Sequence, residues 1–218
     1  MVQQPNIQQS STDYYSTRII LVGTNGCGKT TALKNIVAAT NRKCLVITPY
    51  DNEWTEYPMV TLTDASDFVF TGIRRHMYDP KRTMQVLKYF QNGIIVFDDC
   101  RAYVKAGVQD QIHNLLMGSR QRRIDVYAAA HGLTEVPPVF YTFVTDFILF
   151  QTRDNPKRNR LSVIRDPEAL LAKVDEVNKI ATGLKAHPSD WQGVNQDGLP
   201  CAGKKIRDRY YCDTIKNE

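Results

Sequence analysis

The chain lacks any run approaching the ~20 consecutive apolar residues that a membrane-crossing helix needs, so no span is expected. Its first residues, MVQQPNIQQSSTDYY, lack a basic segment followed by an apolar one, so no signal peptide is expected either. CxxC spacing is absent. The five cysteines, Cys27, Cys44, Cys100, Cys201 and Cys212, are odd in number and scattered. That pattern indicates neither a zinc site nor a disulfide frame, and reduced thiols in a cytoplasmic compartment are the expectation. There are no internal repeats, and the Gln/Ser-rich start is the one biased stretch. A strong excess of one charge is also missing. The 28 Lys and Arg against 23 Asp and Glu leave a formal +5, which suggests an anionic partner and no more.

What remains is ordinary globular composition: 218 residues, 42% hydrophobic and 23% charged. Residues 14–218 are enough for one domain with a single core, and residues 1–13 read as a loose tail or an arm for a neighbouring subunit.

Apolar, β-branched runs alternate with amphipathic segments. Residues 17–22, which hold RIILV, read as a buried parallel strand. Residues 29–39 (KTTALKNIVAA) read as a helix with Ala32, Leu33, Ile36 and Val37 on one face. CLVITPY (44–50) is a second strand stopped by Pro49, residues 58–70 are expected to hold a short strand and a turn, and 81–91 a helix. IIVFDD (94–99) is the next strand, and 106–118 a helix with Ile112, Leu115 and Leu116 inward. VYAAAH (126–131) and DFILFQT (146–152) are further strands. A helix runs from Pro167 to Ile180, with Asp166 at its cap, and residues 184–218 are expected to form a small β-rich finish. This alternation implies an α/β fold with a mainly parallel central sheet flanked by helices. Ligands then bind at the carboxyl ends of the strands, and every motif below is expected at such an end.

GTNGCGKTT, residues 23–31, follows the first strand and opens the first helix. It matches G-x-x-x-x-G-K-[ST] at Gly23, Gly28, Lys29 and Thr30. The glycines let the backbone curl so that amide N–H groups converge on phosphate oxygens, and the helix N-terminus adds the positive end of a dipole. The expected nucleotide-binding residues are therefore Gly23, Thr24, Asn25, Gly26, Cys27, Gly28, Lys29, Thr30 and Thr31. Lys29 reaches the β- and γ-phosphates of ATP, Thr30 ligates Mg²⁺, and Thr31 is the candidate for the α-phosphate. Cys27 reads as a small filler.

IIVFDD ends an apolar strand on two acids. Asp98 is expected to hold Mg²⁺ with Thr30, and Asp99 to orient and deprotonate an attacking water; alternatively Asp99 caps the following helix. Two adjacent acids favour hydrolysis over transfer to a small acceptor. His131 ends the AAA strand. It is either a sensor of the γ-phosphate, if that strand lies beside the glycine-rich loop, or a buried and satisfied histidine. GSRQRR (118–123) offers Arg120, and after it Arg123, as an arginine reaching a neighbouring subunit's nucleotide. The alternative is a DNA-facing or solvated basic loop.

GTNGCGKT, IIVFDD, a helix, SRQRRIDVYAAAH and DFILFQTRD resemble, in order and spacing, the FtsK/HerA superfamily of DNA-pumping ATPases over about residues 16–180. The compact length and DPEALLAKVDEVNK (166–179) are most similar to the genome-packaging ATPases of membrane-containing icosahedral viruses. Those proteins usually carry Glu where this chain has Asp99, and Thr-Gln where it has Ala130-His131. The resemblance implies a RecA-like core, ATP and Mg²⁺ as cofactors, and a pentameric or hexameric ring at a viral capsid vertex. It implies double-stranded DNA as the translocated partner, and a place in the host cytoplasm and the virion. Basic side chains lining the channel would come from Arg74, Arg75, Lys81, Arg82 and Lys105. Other readings are a Zot-type phage assembly or secretion ATPase, which would normally need a membrane span, and a nucleotide kinase or switch that ignores DNA. A degenerate P-loop scaffold is a fourth, and the intact Lys29, Thr30 and Asp98 argue against it.

Overall fold

The computed structural model describes residues 14–60, 69–103, 108–154, 156, 161–186 and 212–216. The chain runs β1 (Arg18–Val22), α1 (Lys29–Ala39), β2 (Cys44–Thr48), β3 (Ile73–Met77), α2 (Pro80–Tyr89), β4 (Gly93–Phe97), α3 (Val108–Met117) and β5 (Ile124–Ala130). It continues through α4 (Pro138–Phe143), β6 (Asp146–Phe150), α5 (Pro167–Ala186) and β7 (Cys212–Lys216). The strands form one sheet in the order β3-β2-β4-β5-β1-β6-β7. The first six in that order pair parallel, and β7 adds antiparallel to β6.

Every residue of β2, β4 and β5 is buried, as expected of strands covered on both faces. Alternate side chains feed two cores. Ile20, Leu45, Ile47, Ile95, Phe97, Val126 and Phe147 meet residues of α2, α3, α4 and α5 on one face. Leu21, Val46, Ile94, Val96, Ala129 and Ile148 meet Ala32, Leu33 and Val37 of α1, together with Trp54, on the other. The helix ends follow local rules. Asp79 caps α2, accepting from the Arg82 amide at 2.9 Å, and Pro80 occupies the first turn.

The short strand expected within 58–70 falls largely on residues 61–68, which lie outside the described residues; Met59 bridges to Arg75, and β3 at Ile73–Met77 is a strand the sequence did not announce. IRRHM escapes pattern reading because an edge strand buries little, here His76 alone. The short helix α4 was not expected, and α5 continues to Ala186. Within 184–218 the structure places the strand β7; residues 187–211, 217 and 218, like the tail 1–13 and Lys105, lie outside the described residues. Among the described residues no helix is long and apolar enough to cross a membrane.

The sheet order decides what meets what. β5 lies between β4 and β1, so the tips of the acid-bearing strand, the AAA strand and the loop-bearing strand stand side by side. β2 flanks β4 on its other side, which brings residues 49–54 to the same edge.

Candidate functional site

The glycine-rich loop hangs between two strand tips. The Gly23 amide donates to Ala130 O at 3.2 Å and the Thr24 amide to Gln151 O at 2.9 Å. Gly26 (φ 72°) and Gly28 (φ 99°) adopt left-handed backbone that side chains resist. Gly23 serves a different need: a Cβ there would sit 2.5 Å from both Cys27 Sγ and Phe150 Cβ. Gly28 caps α1 without a side-chain hydrogen bond, so an anion is what would satisfy the first-turn amides. Lys29 is 8% exposed and donates to Gly23 O (2.6 Å) and Thr24 O (3.0 Å). Its Nζ also lies 3.4 Å from His131 Nδ1. An ammonium only donates, so a hydrogen bond here needs the tautomer in which Nδ1 is free to accept. Cys27 is buried and burial pushes its thiol up, in keeping with a filler.

The two acids have different surroundings. Asp98 is 4% exposed, and Trp54 Nε1 donates to its Oδ2 at 2.8 Å. Burial, then a hydrogen bond with the Glu53 carboxyl, push Asp98 up to about 8, against the pull of Trp54. The buried Tyr103 hydroxyl braces this strand end, 2.6 Å from Asp98 O and 2.7 Å from Ile47 O. Asp99 takes a left-handed backbone (φ 51°), and Tyr50 donates its phenolic O–H to Oδ2 at 2.9 Å. Oδ1 is buried and has no hydrogen-bond partner among the described residues. The Asp99 carbonyl accepts from Ala102 N in the 3₁₀ turn Cys100–Tyr103, while the carboxylate turns to Tyr50.

These groups line one cleft of about 540 Å³, within the size range of small-ligand sites. It gathers Asn25, Gly26, Gly28, Lys29, Thr30, Thr31, Asp98, Asp99 and His131 of the expected residues. Gly23, Thr24 and Cys27 stand behind that lining. Tyr50, Asn52 and Glu53 also line the cleft, with Ala129 and Ala130, whose short side chains leave room. Sequence reading missed Tyr50, Asn52, Glu53 and Trp54, which follow a strand whose neighbour was unknown. The acid and aromatics of PYDNEW after an apolar strand were the available signal.

Nucleotide and Mg²⁺ fit these residues. The loop amides suit phosphate, and Thr30 with Asp98 and Glu53 supplies the oxygen donors that Mg²⁺ takes alongside phosphate. Among the described residues no cluster of three or more His, Cys, Asp or Glu is placed to hold a metal ion.

The arginine segment lies elsewhere. It precedes β5, so it sits at the amino ends of the strands, contrary to the expectation that every motif falls at the carboxyl ends. Seven strand residues separate it from the cleft, roughly 20 Å, so neither Arg120 nor Arg123 touches the cleft of its own chain. Arg120 is exposed; Arg123 (φ 53°) gives its carbonyl to Gly93 N and Arg42 Nη2. Arg122 is structural, donating to Leu87 O and Phe90 O at the end of α2. Of the expected channel residues, Arg75 is committed to Asp51 O (2.8 Å) and Glu53 O (3.1 Å), and Arg74 lies over Phe70. Lys81 and Arg82 are exposed at the start of α2.

No protein-family model matches the sequence, and no curated protein matches it. Solved structures do. The genome packaging NTPase B204 from Sulfolobus turreted icosahedral virus 2, in complex with sulfate, is 19% identical with a TM-score of 0.57, over 74% of this chain and 86% of that one. The same protein in complex with ATP-gammaS aligns at 18% identity and a TM-score of 0.53, over 75% of this chain and 86% of that one. The chain therefore shares the α/β fold of that NTPase, a parallel sheet flanked by helices.

Proposed function

We propose that this chain hydrolyses ATP and couples hydrolysis to translocation of double-stranded DNA, packaging a viral genome into a preformed capsid. The observation that carries the reading is the convergence of Lys29, Asp98, Asp99 and His131 on one cleft from three adjacent strand tips. The fold likeness to a genome packaging NTPase supports the packaging half of it.

Each residue has a role. The loop amides and Lys29 clamp the phosphates, and Lys29 exchanges its bonds to Gly23 O and Thr24 O for phosphate oxygens. Thr30 and Asp98, with Glu53 beside it, would hold Mg²⁺, which would supply positive charge to the phosphates. Asp99 orients the attacking water and takes its proton. His131, tied to Lys29, senses the γ-phosphate through the same cation. Arg120, or after it Arg123, completes the cleft of a neighbouring protomer in a pentameric or hexameric ring. That ring works at a capsid vertex, in the host cytoplasm and the virion.

The test is ATP hydrolysis with and without double-stranded DNA at low salt, beside Lys29→Ala. DNA-stimulated turnover that is lost in Lys29→Ala and weakens with salt is the expected result, because phosphate contacts release counterions. Hydrolysis indifferent to DNA at every salt concentration moves the protein to the nucleotide-switch class.

A further inference from the structure

Asp99 poses a positioning problem. A carboxylate that is to orient one water must itself be held, and an aspartate is one methylene shorter than a glutamate. Its left-handed backbone turns it off the strand line, and only one of its oxygens has a protein partner among the described residues. That partner is the Tyr50 hydroxyl.

Tyr50 is mounted for the task. The fully buried Thr48 holds its backbone at both ends: Thr48 Oγ1 accepts from Tyr50 N (3.2 Å) and donates to Tyr50 O (3.3 Å). Pro49 between them restricts φ. Arg75 pins the carbonyls of Asp51 and Glu53, and Trp54 anchors the far end in the α1-side core at 1% exposure. From this fixed base the ring stands 47% exposed, so apolar burial does not account for its placement. The same short segment thus reads both acids, Trp54 on Asp98 and Tyr50 on Asp99.

We infer that Tyr50 is a positioning residue for hydrolysis: its hydroxyl occupies Asp99 Oδ2 and so presents Oδ1 to the attacking water. The water's proton passes to Asp99 and its oxygen to the γ-phosphorus, as the bond from that phosphorus to the β–γ bridging oxygen breaks and ADP leaves with the oxygen; Tyr50 keeps its own proton throughout. Oδ1, which has no hydrogen-bond partner among the described residues, gains a donor when that water binds. The inference rests on the reading of Asp99 as the group that orients water.

Tyr50→Phe removes only the hydroxyl. In the full chain it should lower kcat about tenfold, part of the ~10²–10⁴-fold that a general base supplies. KM, and the Kd of a non-hydrolysable ATP analogue, should stay within about twofold. Placed on Asp99→Asn, the same change should slow single-turnover hydrolysis no further, because a residue acting through Asp99 has nothing left to position. Thermal melting of each variant separates these effects from misfolding. Wild-type kcat in Tyr50→Phe beside a slow Asp99→Asn overturns the inference and leaves the reading of Asp99 standing. Weakened analogue binding in Tyr50→Phe overturns it too, since Tyr50 would then hold nucleotide. Full turnover in Asp99→Asn overturns the reading itself and points to Glu53, the other carboxylate beside Asp98 in the cleft.

Discussion

At position 76 a histidine faces inward from an edge strand. It is 4% exposed, and its Nε2 lies 3.1 Å from Thr83 Oγ1. Burial pushes it down to about 4, more than the nearby Asp79 raises it, and Arg82 adds to the lowering. The folded state therefore refuses a proton that the unfolded chain accepts near pH 6.5. His76's contribution to stability is fully present above about 6.5, falls as the pH drops towards about 4, and then levels. The loss should approach roughly 3 kcal/mol across that window, at about 1.4 kcal/mol per unit. Urea unfolding at pH 7 and pH 4.5 measures it, and His76→Gln should flatten the slope.

At the scale of elements, side chains that look like a ligand cluster turn out to hold elements together. Arg122 closes the C-terminal end of α2 by donating to Leu87 O and Phe90 O, and Arg75 ties β3 to the loop after β2. Arg122→Ala leaves helix-end carbonyls without that donor and should cost about 2 kcal/mol, the range for a hydrogen bond to a charged group. A lowered midpoint in urea with an unchanged m-value is the expected outcome. ATP turnover should be unaffected well below the melting temperature, because α2 ends at the edge of the sheet opposite the cleft. A collapse of turnover with intact folding would put Arg122 in the shared site after all.

At the scale of the molecule, a parallel sheet separates two edges with different work. The carboxyl edge carries the cleft. The amino edge carries Arg120 and Arg123, and also the cluster in which Arg42 pairs with Asp125 and donates to Tyr14 and the Arg123 carbonyl. An arginine some 20 Å from its own cleft can act on a nucleotide only across a subunit boundary. In the ring proposed for this chain, Arg120→Ala and Lys29→Ala should each be inactive. Their equimolar mixture should recover up to about a quarter of wild-type turnover, the share of head-to-tail interfaces with one intact half from each. No recovery at any ratio removes Arg120 from a shared site.

Local chemistry was legible in the sequence wherever the physics is local. The P-loop spacing, the apolar run ending on Asp98 and Asp99, and the strand ending at His131 all announced themselves, because phosphate cradles and buried strands constrain consecutive residues. The strand β3 was not legible, since an edge strand buries one side chain in five and keeps no apolar pattern. Nor was the basic cluster legible as it stands, since an arginine reads the same in sequence whether it meets a carbonyl or a phosphate. By itself the sequence determined the α/β class and the glycine-rich loop between its first strand and first helix. The tertiary structure alone decided that β5 stands between β4 and β1, setting His131 against Lys29. It alone decided that β2 flanks β4, setting Tyr50 on Asp99 and Trp54 on Asp98. Strand order is a matter of non-local packing, with Cys44 of β2 opposite Ile94 of β4 and Arg18 of β1 opposite Val126 of β5, and no local spacing records it.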